Sequence, residues 1–200
     1  MKTHQNVTSQ TLSRRVYGVG VDDHDYQIRK QSGGKIVWTC PYYQTWVNML
    51  SRCYSRNQKK YTPSYVGCKV CEEWLTFSTF KKWMSKQNWK GKELDKDLFG
   101  DGSVYSPATC VFITKHMNLL ASSYPRSKGF SYVPTKGKWR AYYNDPITRK
   151  HIYLGLYETE EKASRVAKRG KEKVYKYLIN YVLEDTQEVK ERFLRINGLL

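Results

Sequence analysis

Leu94-Asp-Lys-Asp-Leu-Phe-Gly-Asp-Gly-Ser-Val-Tyr-Ser-Pro-Ala-Thr-Cys-Val-Phe-Ile-Thr-Lys-His-Met-Asn118 is the stretch on which the reading of this chain turns. An acid, Asp95, closes a short apolar strand. A glycine-rich loop follows, then a second apolar run to Thr114, and Asn118 stands on the next element. The order is strand, loop, strand and helix, with Asp95 and Asn118 as oxygen donors on its first strand and its helix. Oxygen ligands of this kind favour Mg²⁺ or Mn²⁺ over zinc. The residue after Asp95 is Lys96, and Asp97, Asp101 and His116 are the nearby groups able to take a proton from water. An aspartate base is weaker than histidine by about two pKa units, although a metal-bound water needs less help. His116 and Asn118 point about 200° apart on a helix, which counts against His116 as the partner of Asn118.

Working toward the N-terminus, Cys40-Pro41 opens a helix, with proline where a first turn tolerates it. Tyr43, Trp46, Val47, Leu50 and Cys53 recur at helical spacing. A short strand from Cys68 to Cys71 leads to a second helix with Phe77, Phe80, Trp83 and Met84 on one face, and Trp74 joins the core. Residues 1–36 read as a basic arm ending in Arg14-Arg15, followed by a strand or hairpin over Val16 to Ile28. The cluster Asp22-Asp23-His24-Asp25 sits in its turn, where acids are ordinary.

Toward the C-terminus, Ala121-Ser-Ser-Tyr-Pro125 has the small, polar character of a linker. Three strand-like runs follow: Gly129 to Val133, Lys138 to Tyr143 and His151 to Tyr157. Thr159 then caps a helix whose apolar stripe runs through Ala163, Val166, Ala167, Gly170 and Val174. A last helix spans about Asp185 to Ile196, with Val189, Phe193 and Ile196 inward and Asn197-Gly198 as its stop. Alternation sends Lys138, Arg140 and Tyr142 to one side of the middle strand and Trp139, Ala141 and Tyr143 to the other. A three-stranded sheet backed by one helix keeps one face bare.

The chain carries 35 Lys and Arg against 18 Asp and Glu, a net charge of +17 in 200 residues. Such an excess costs self-repulsion unless a polyanion offsets it, and 17 Tyr and 6 Trp supply stacking surface beside the cations. The expected partner is double-stranded DNA, with no membrane contact; protein partners are not legible. Arg126, Lys128, Lys136, Lys138, Arg140, Tyr142, Arg149, Lys150 and Tyr153 are the candidate DNA contacts. Met1 to Ser13 is polar and no apolar run is long enough to span a bilayer. A soluble, cytoplasmic protein is expected. Five cysteines with a single CxxC, Cys68 to Cys71, favour reduced core thiols over disulfides or a structural zinc.

Two family resemblances attach to these residues. Leu94-Asp95-Lys96-Asp97, Thr109-Cys-Val-Phe-Ile-Thr114 and Asn118, with Trp46-Val-Asn-Met-Leu50 and Val70-Cys-Glu-Glu-Trp74, resemble the ββα-metal core of phage HNH homing endonucleases. Gly129-Phe130, Lys138-Trp-Arg-Ala141, Leu154-Gly-Leu-Tyr157 and Glu161-Lys-Ala163 resemble the Apetala, or ethylene-response-factor, DNA-binding domain. The resemblance implies an α+β chain in four parts: the arm and hairpin at 1–36, an HNH-like module at 37–122, an Apetala-type domain at 125–182 and a C-terminal helix at 183–200. It implies metal ligation by Asp95 and Asn118, and a general-base histidine where this chain has Lys96, so that Asp97 or His116 would take the catalytic role, in a protein acting at the nucleoid of an infected bacterium. Three readings stay open for the central unit. It is a variant metal-dependent nuclease, a platform that holds DNA without cutting, or a plain strand end whose acids are solvated.

Overall fold

The computed structural model describes residues 15–123 and 128–200, and the chain is α+β. It divides into two compact units. The first contains the residues up to Lys90 together with Leu94–Phe112, and the second contains Gly91–Glu93 with Ile113–Leu200. Among the described residues no helix is long and apolar enough to cross a membrane.

In the first unit, the regular hairpin is β1 (Arg29–Ser32) with β2 (Lys35–Thr39), antiparallel and closed at Gly33-Gly34. The expected hairpin over Val16 to Ile28 is not formed. Val16 bridges Gly20 in a tight turn, and Val21 bridges Thr76 instead. The reason is the acidic cluster in that stretch, which is committed elsewhere. Asp22 accepts from the Tyr43 hydroxyl at 2.8 Å, and Asp23 accepts from the Ser78 amide at 2.9 Å. The second bond neutralises an open amide at a helix start, where a carboxylate also suits the dipole.

Helix α1 (Pro41–Tyr54) begins with proline in its first turn and buries Tyr43, Trp46, Met49, Leu50 and Cys53. A short helix, α2 (Arg56–Tyr61), and strand β3 (Lys69–Val70) follow. Helix α3 (Phe77–Met84) then lays Phe77, Phe80 and Met84 into the same core. The Trp46 indole donates to the Trp74 carbonyl at 2.8 Å, so its one polar atom is satisfied. Trp74 and Trp83 stand 4.4 Å apart. Burying each such side chain contributes about 1.5–3 kcal/mol. None of the five cysteines is in a disulfide, and four of them are buried.

Strands β4 (Lys92–Asp95) and β6 (Val111–Thr114) form one two-stranded sheet. Strand β5 (Val104–Tyr105) runs parallel to β3. Helix α4 (Lys115–Ser123) starts at once after β6. Ala121 to Ser123, expected in a linker, are the last turn of this helix. The remaining linker residues lie outside the described residues.

In the second unit, β7 (Phe130–Val133), β8 (Lys138–Asn144) and β9 (His151–Tyr157) make an antiparallel sheet in that order. Helix α5 (Glu160–Tyr177) covers one face, its start capped by the Thr159 hydroxyl. After a π-helical turn (Leu178–Val182), helix α6 (Gln187–Ile196) buries Val189, Phe193 and Leu194. Ile196, expected inward, is half exposed at 49%. The chain reverses at Gly198 (φ 62°), and Leu199 donates its amide to the Leu194 carbonyl at 2.8 Å. This Schellman closure puts Leu199 into the apolar place beside the last turn.

Candidate nucleic-acid interface

The sheet of the second unit sorts its side chains as the alternation predicts. Ala141 packs with Ala163 and Ala167 of α5, and Phe130, Trp139, Leu154 and Tyr157 close around them. Small residues on both sides let the helix sit close. The register shifts between Ala141 and Tyr142, so that Gly155 opposes Ala141 while Tyr153 opposes Tyr142. This bulge turns Leu154 toward the helix beside Gly170. Gly155 lies at φ +127°, where side chains are strained, and a Cβ there would meet the Tyr157 hydroxyl at 2.9 Å. The bulge thus explains the Leu-Gly-x-aromatic pattern physically.

The opposite face of the sheet is turned away from α5. It presents Lys138, Arg140, Tyr142 and, across the ladder, Tyr153 and His151. The Arg140 guanidinium lies 5.4 Å from the Tyr142 ring centre and donates to the Ser131 hydroxyl at 3.2 Å. Tyr142 in turn stacks against His151 at 4.5 Å, and His151 Nδ1 is 3.0 Å from Asn144 Oδ1. Tyr153 is 56% exposed. A cation, two phenol rings and an imidazole therefore form one polar, aromatic surface. His151 was missed in the sequence reading. Its signal was available, because it pairs with Asn144 on the same side as Tyr142.

The other expected contacts differ in place. Lys138 is tied to Glu158 at 2.8 Å, which offsets its charge and raises its proton affinity through that hydrogen bond. Lys128, Lys136 and Lys150 are exposed in the segments around the sheet. Arg149 adopts φ 59° and lines a cavity of about 370 Å³ with Tyr143, Lys171 and Tyr175. Burial pulls the Lys171 amine below its ordinary value. Arg126 lies outside the described residues.

Asp95 belongs to the first unit, at the end of β4, and Asn118 to the second. Asp95 is buried, and its Oδ1 accepts the amides of Asp97 (3.1 Å) and Leu98 (2.8 Å), closing the loop after β4. Burial raises its proton affinity, and the Asp97 charge adds to this, while the two amides and Lys96 act the other way. Lys96 is only 4% exposed. Its ammonium donates to Asp97 at 2.6 Å and lies 5.4 and 5.6 Å from the Tyr65 and Tyr105 ring centres. Burial lowers the Lys96 pKa, but the bond and charge of Asp97 outweigh it and leave the net shift upward. The cation beside Asp95 is thus built into the chain. Asn118, in the second unit, donates to Glu93 at 2.6 Å, and His116 is exposed on α4. Asp101 caps its own loop through Ser103. Among the described residues no three His, Cys, Asp or Glu side chains gather as a metal site. Asp95 Oδ1 is thus engaged by two amides, and the Lys96 charge acts on the same carboxylate.

Sequence reasoning also missed Asp185. Its buried carboxylate accepts the Thr114 amide at 2.8 Å and the Thr114 hydroxyl at 2.6 Å. Thr114 in turn caps α4 by accepting the Met117 amide at 3.1 Å.

Comparison of the chain with protein-family models, curated proteins and solved structures finds no match.

Proposed function

We propose that this chain binds double-stranded DNA through the open face of β7–β9, and that the loop around Asp95 is a scaffold that does not cut. One observation carries the reading. Arg140, Tyr142, His151 and Tyr153 share the face that α5 leaves uncovered, while their apolar neighbours pack on the helix. Two strand spacings make the sheet about 10 Å wide, and a major groove is about 12 Å wide. Arg140 and the lysines in the adjoining loops would neutralise phosphates, and the rings would lie against sugars and base edges. The net charge of +17 supports a polyanionic partner. Lys96 supports the non-cleaving half of the reading, because a fixed ammonium repels a second cation at close range. Such a protein acts as a regulator or inhibitor of DNA transactions at the nucleoid.

The test joins binding to cleavage. Lys138→Ala with Arg140→Ala should weaken duplex binding and reduce the slope of log affinity against log salt by about 1–2. Unchanged affinity and slope would remove the sheet from the interface. Supercoiled plasmid incubated with native protein and Mg²⁺ or Mn²⁺ should stay supercoiled. Nicking that Asp95→Ala or Asn118→Ala abolishes would overturn the scaffold reading and restore metal-dependent phosphodiester hydrolysis.

A further inference from the structure

Helix α5 carries seven Lys and Arg against three Glu. Five of these cations, Lys162, Arg165, Arg169, Lys173 and Lys176, are exposed and spaced three or four residues apart. At 3.6 residues per turn that spacing gathers them into one sector of the helix surface. Ala163, Ala167 and Tyr175, which lie on the buried side, face away from that sector. The stripe is about 21 Å long at 1.5 Å per residue. Among the described residues no ion pair engages Arg165, Arg169, Lys173 or Lys176. The pair that α5 does form, Lys168 with Glu172 at 3.9 Å, flanks the stripe, with Glu172 one turn from Arg169 and Lys176.

We infer that this stripe is a second DNA-binding surface, so that a single chain bridges two duplex segments. The inference rests on the reading of the sheet as the first surface. Helix α5 lies between the two, with the sheet on its inner side and the stripe on its outer side, so one rigid duplex cannot lie along both. Self-repulsion makes a row of like charges along one helix face unfavourable. A partner that carries a charge every 1.7 Å or so along a straight axis relieves it over the whole length. A straight 21 Å row suits a stiff duplex better than a flexible strand, which would have to be held straight at an entropic cost.

The experiment is native mass spectrometry of the full chain with short duplexes, each too short to reach from one face to the other. The native chain should bind two duplexes. Arg165→Gln, Arg169→Gln, Lys173→Gln and Lys176→Gln together keep helix propensity. That variant should hold one duplex and lose the second by more than about tenfold in affinity. Lys138→Ala with Arg140→Ala should lose the other one instead. Circular dichroism of each variant establishes that it is folded. A native complex with a single duplex bound through the sheet would overturn bridging and leave the first surface standing. Two duplexes retained by the stripe variant, or two held only by a pair of chains, would also overturn it. No duplex bound by the native chain would overturn both readings.

Discussion

Asp95 closes a loop through two backbone amides, and its titration makes the role of its charge testable. Burial raises its folded-state pKa, so the native chain holds the proton more tightly than the unfolded chain does. Ionisation therefore costs stability. The cost is absent below the ordinary carboxylate pKa of about 4 and complete above the raised value. Asparagine keeps an oxygen for the Asp97 and Leu98 amides and removes the charge. Asp95→Asn should raise the melting temperature at pH 7 by a few degrees, at about 2–4 °C per kcal/mol. The gain should vanish near pH 4. A lower melting temperature at pH 7 would mean that the negative charge is needed, as a cation ligand requires. The strand-end acid itself was legible from Leu94-Asp95 and the glycine-rich loop. The fate of Lys96 was not, because the rings beside it come from Tyr65 and Tyr105, which nothing in the local pattern connects to it.

At the scale of elements, alternation and period were enough for β8 and α5. A strand half covered by a helix must segregate Trp139 and Ala141 from Arg140 and Tyr142. The same period placed Phe77, Phe80 and Met84 on the inner side of α3. What failed were features that depend on distant partners. Asp23 caps a helix 55 residues away, which took its segment out of the expected hairpin. Asp185 looked like an N-terminal helix residue, yet it clamps Thr114, 71 residues earlier, at the junction of β6 and α4. Asp185→Ala removes both acceptors and leaves a Thr114 amide unsatisfied, at a cost of about 2–3 kcal/mol. That cost corresponds to a fall in melting temperature of about 5–10 °C. Amide exchange should accelerate first at Met117, whose cap depends on the Thr114 rotamer. A variant with native melting and native exchange at α4 would show that the clamp contributes nothing.

Across the whole molecule, the two units differ in how they respond to alkali. In the first, burial raises the phenols of Tyr26, Tyr43 and Tyr105, with Tyr43 reaching about 12. Burial also pushes the Cys110 thiol to about 12. Unfolded tyrosine ionises near 10. Between that value and the raised ones the native state holds protons that the unfolded state has released, so stability falls as pH rises. Lys96 adds to the same trend. Its raised pKa favours the charged native form below about 10.5, and that contribution is lost above it. In the second unit burial raises one phenol, Tyr143, while Lys171 runs the other way. Its lowered pKa makes the native state gain on the unfolded one as pH climbs toward the ordinary lysine value. The alkaline transition should therefore begin in the first unit. Tyrosinate absorbance followed against pH should reach its full amplitude only after a delayed, cooperative step above pH 10, contributed by the buried phenols. Amide exchange should open α1 and α3 before β8 and α5. Simple titration of all the tyrosines, or exchange that starts in the β7–β9 sheet, would mean that the buried phenols and Lys96 do not govern stability in alkali.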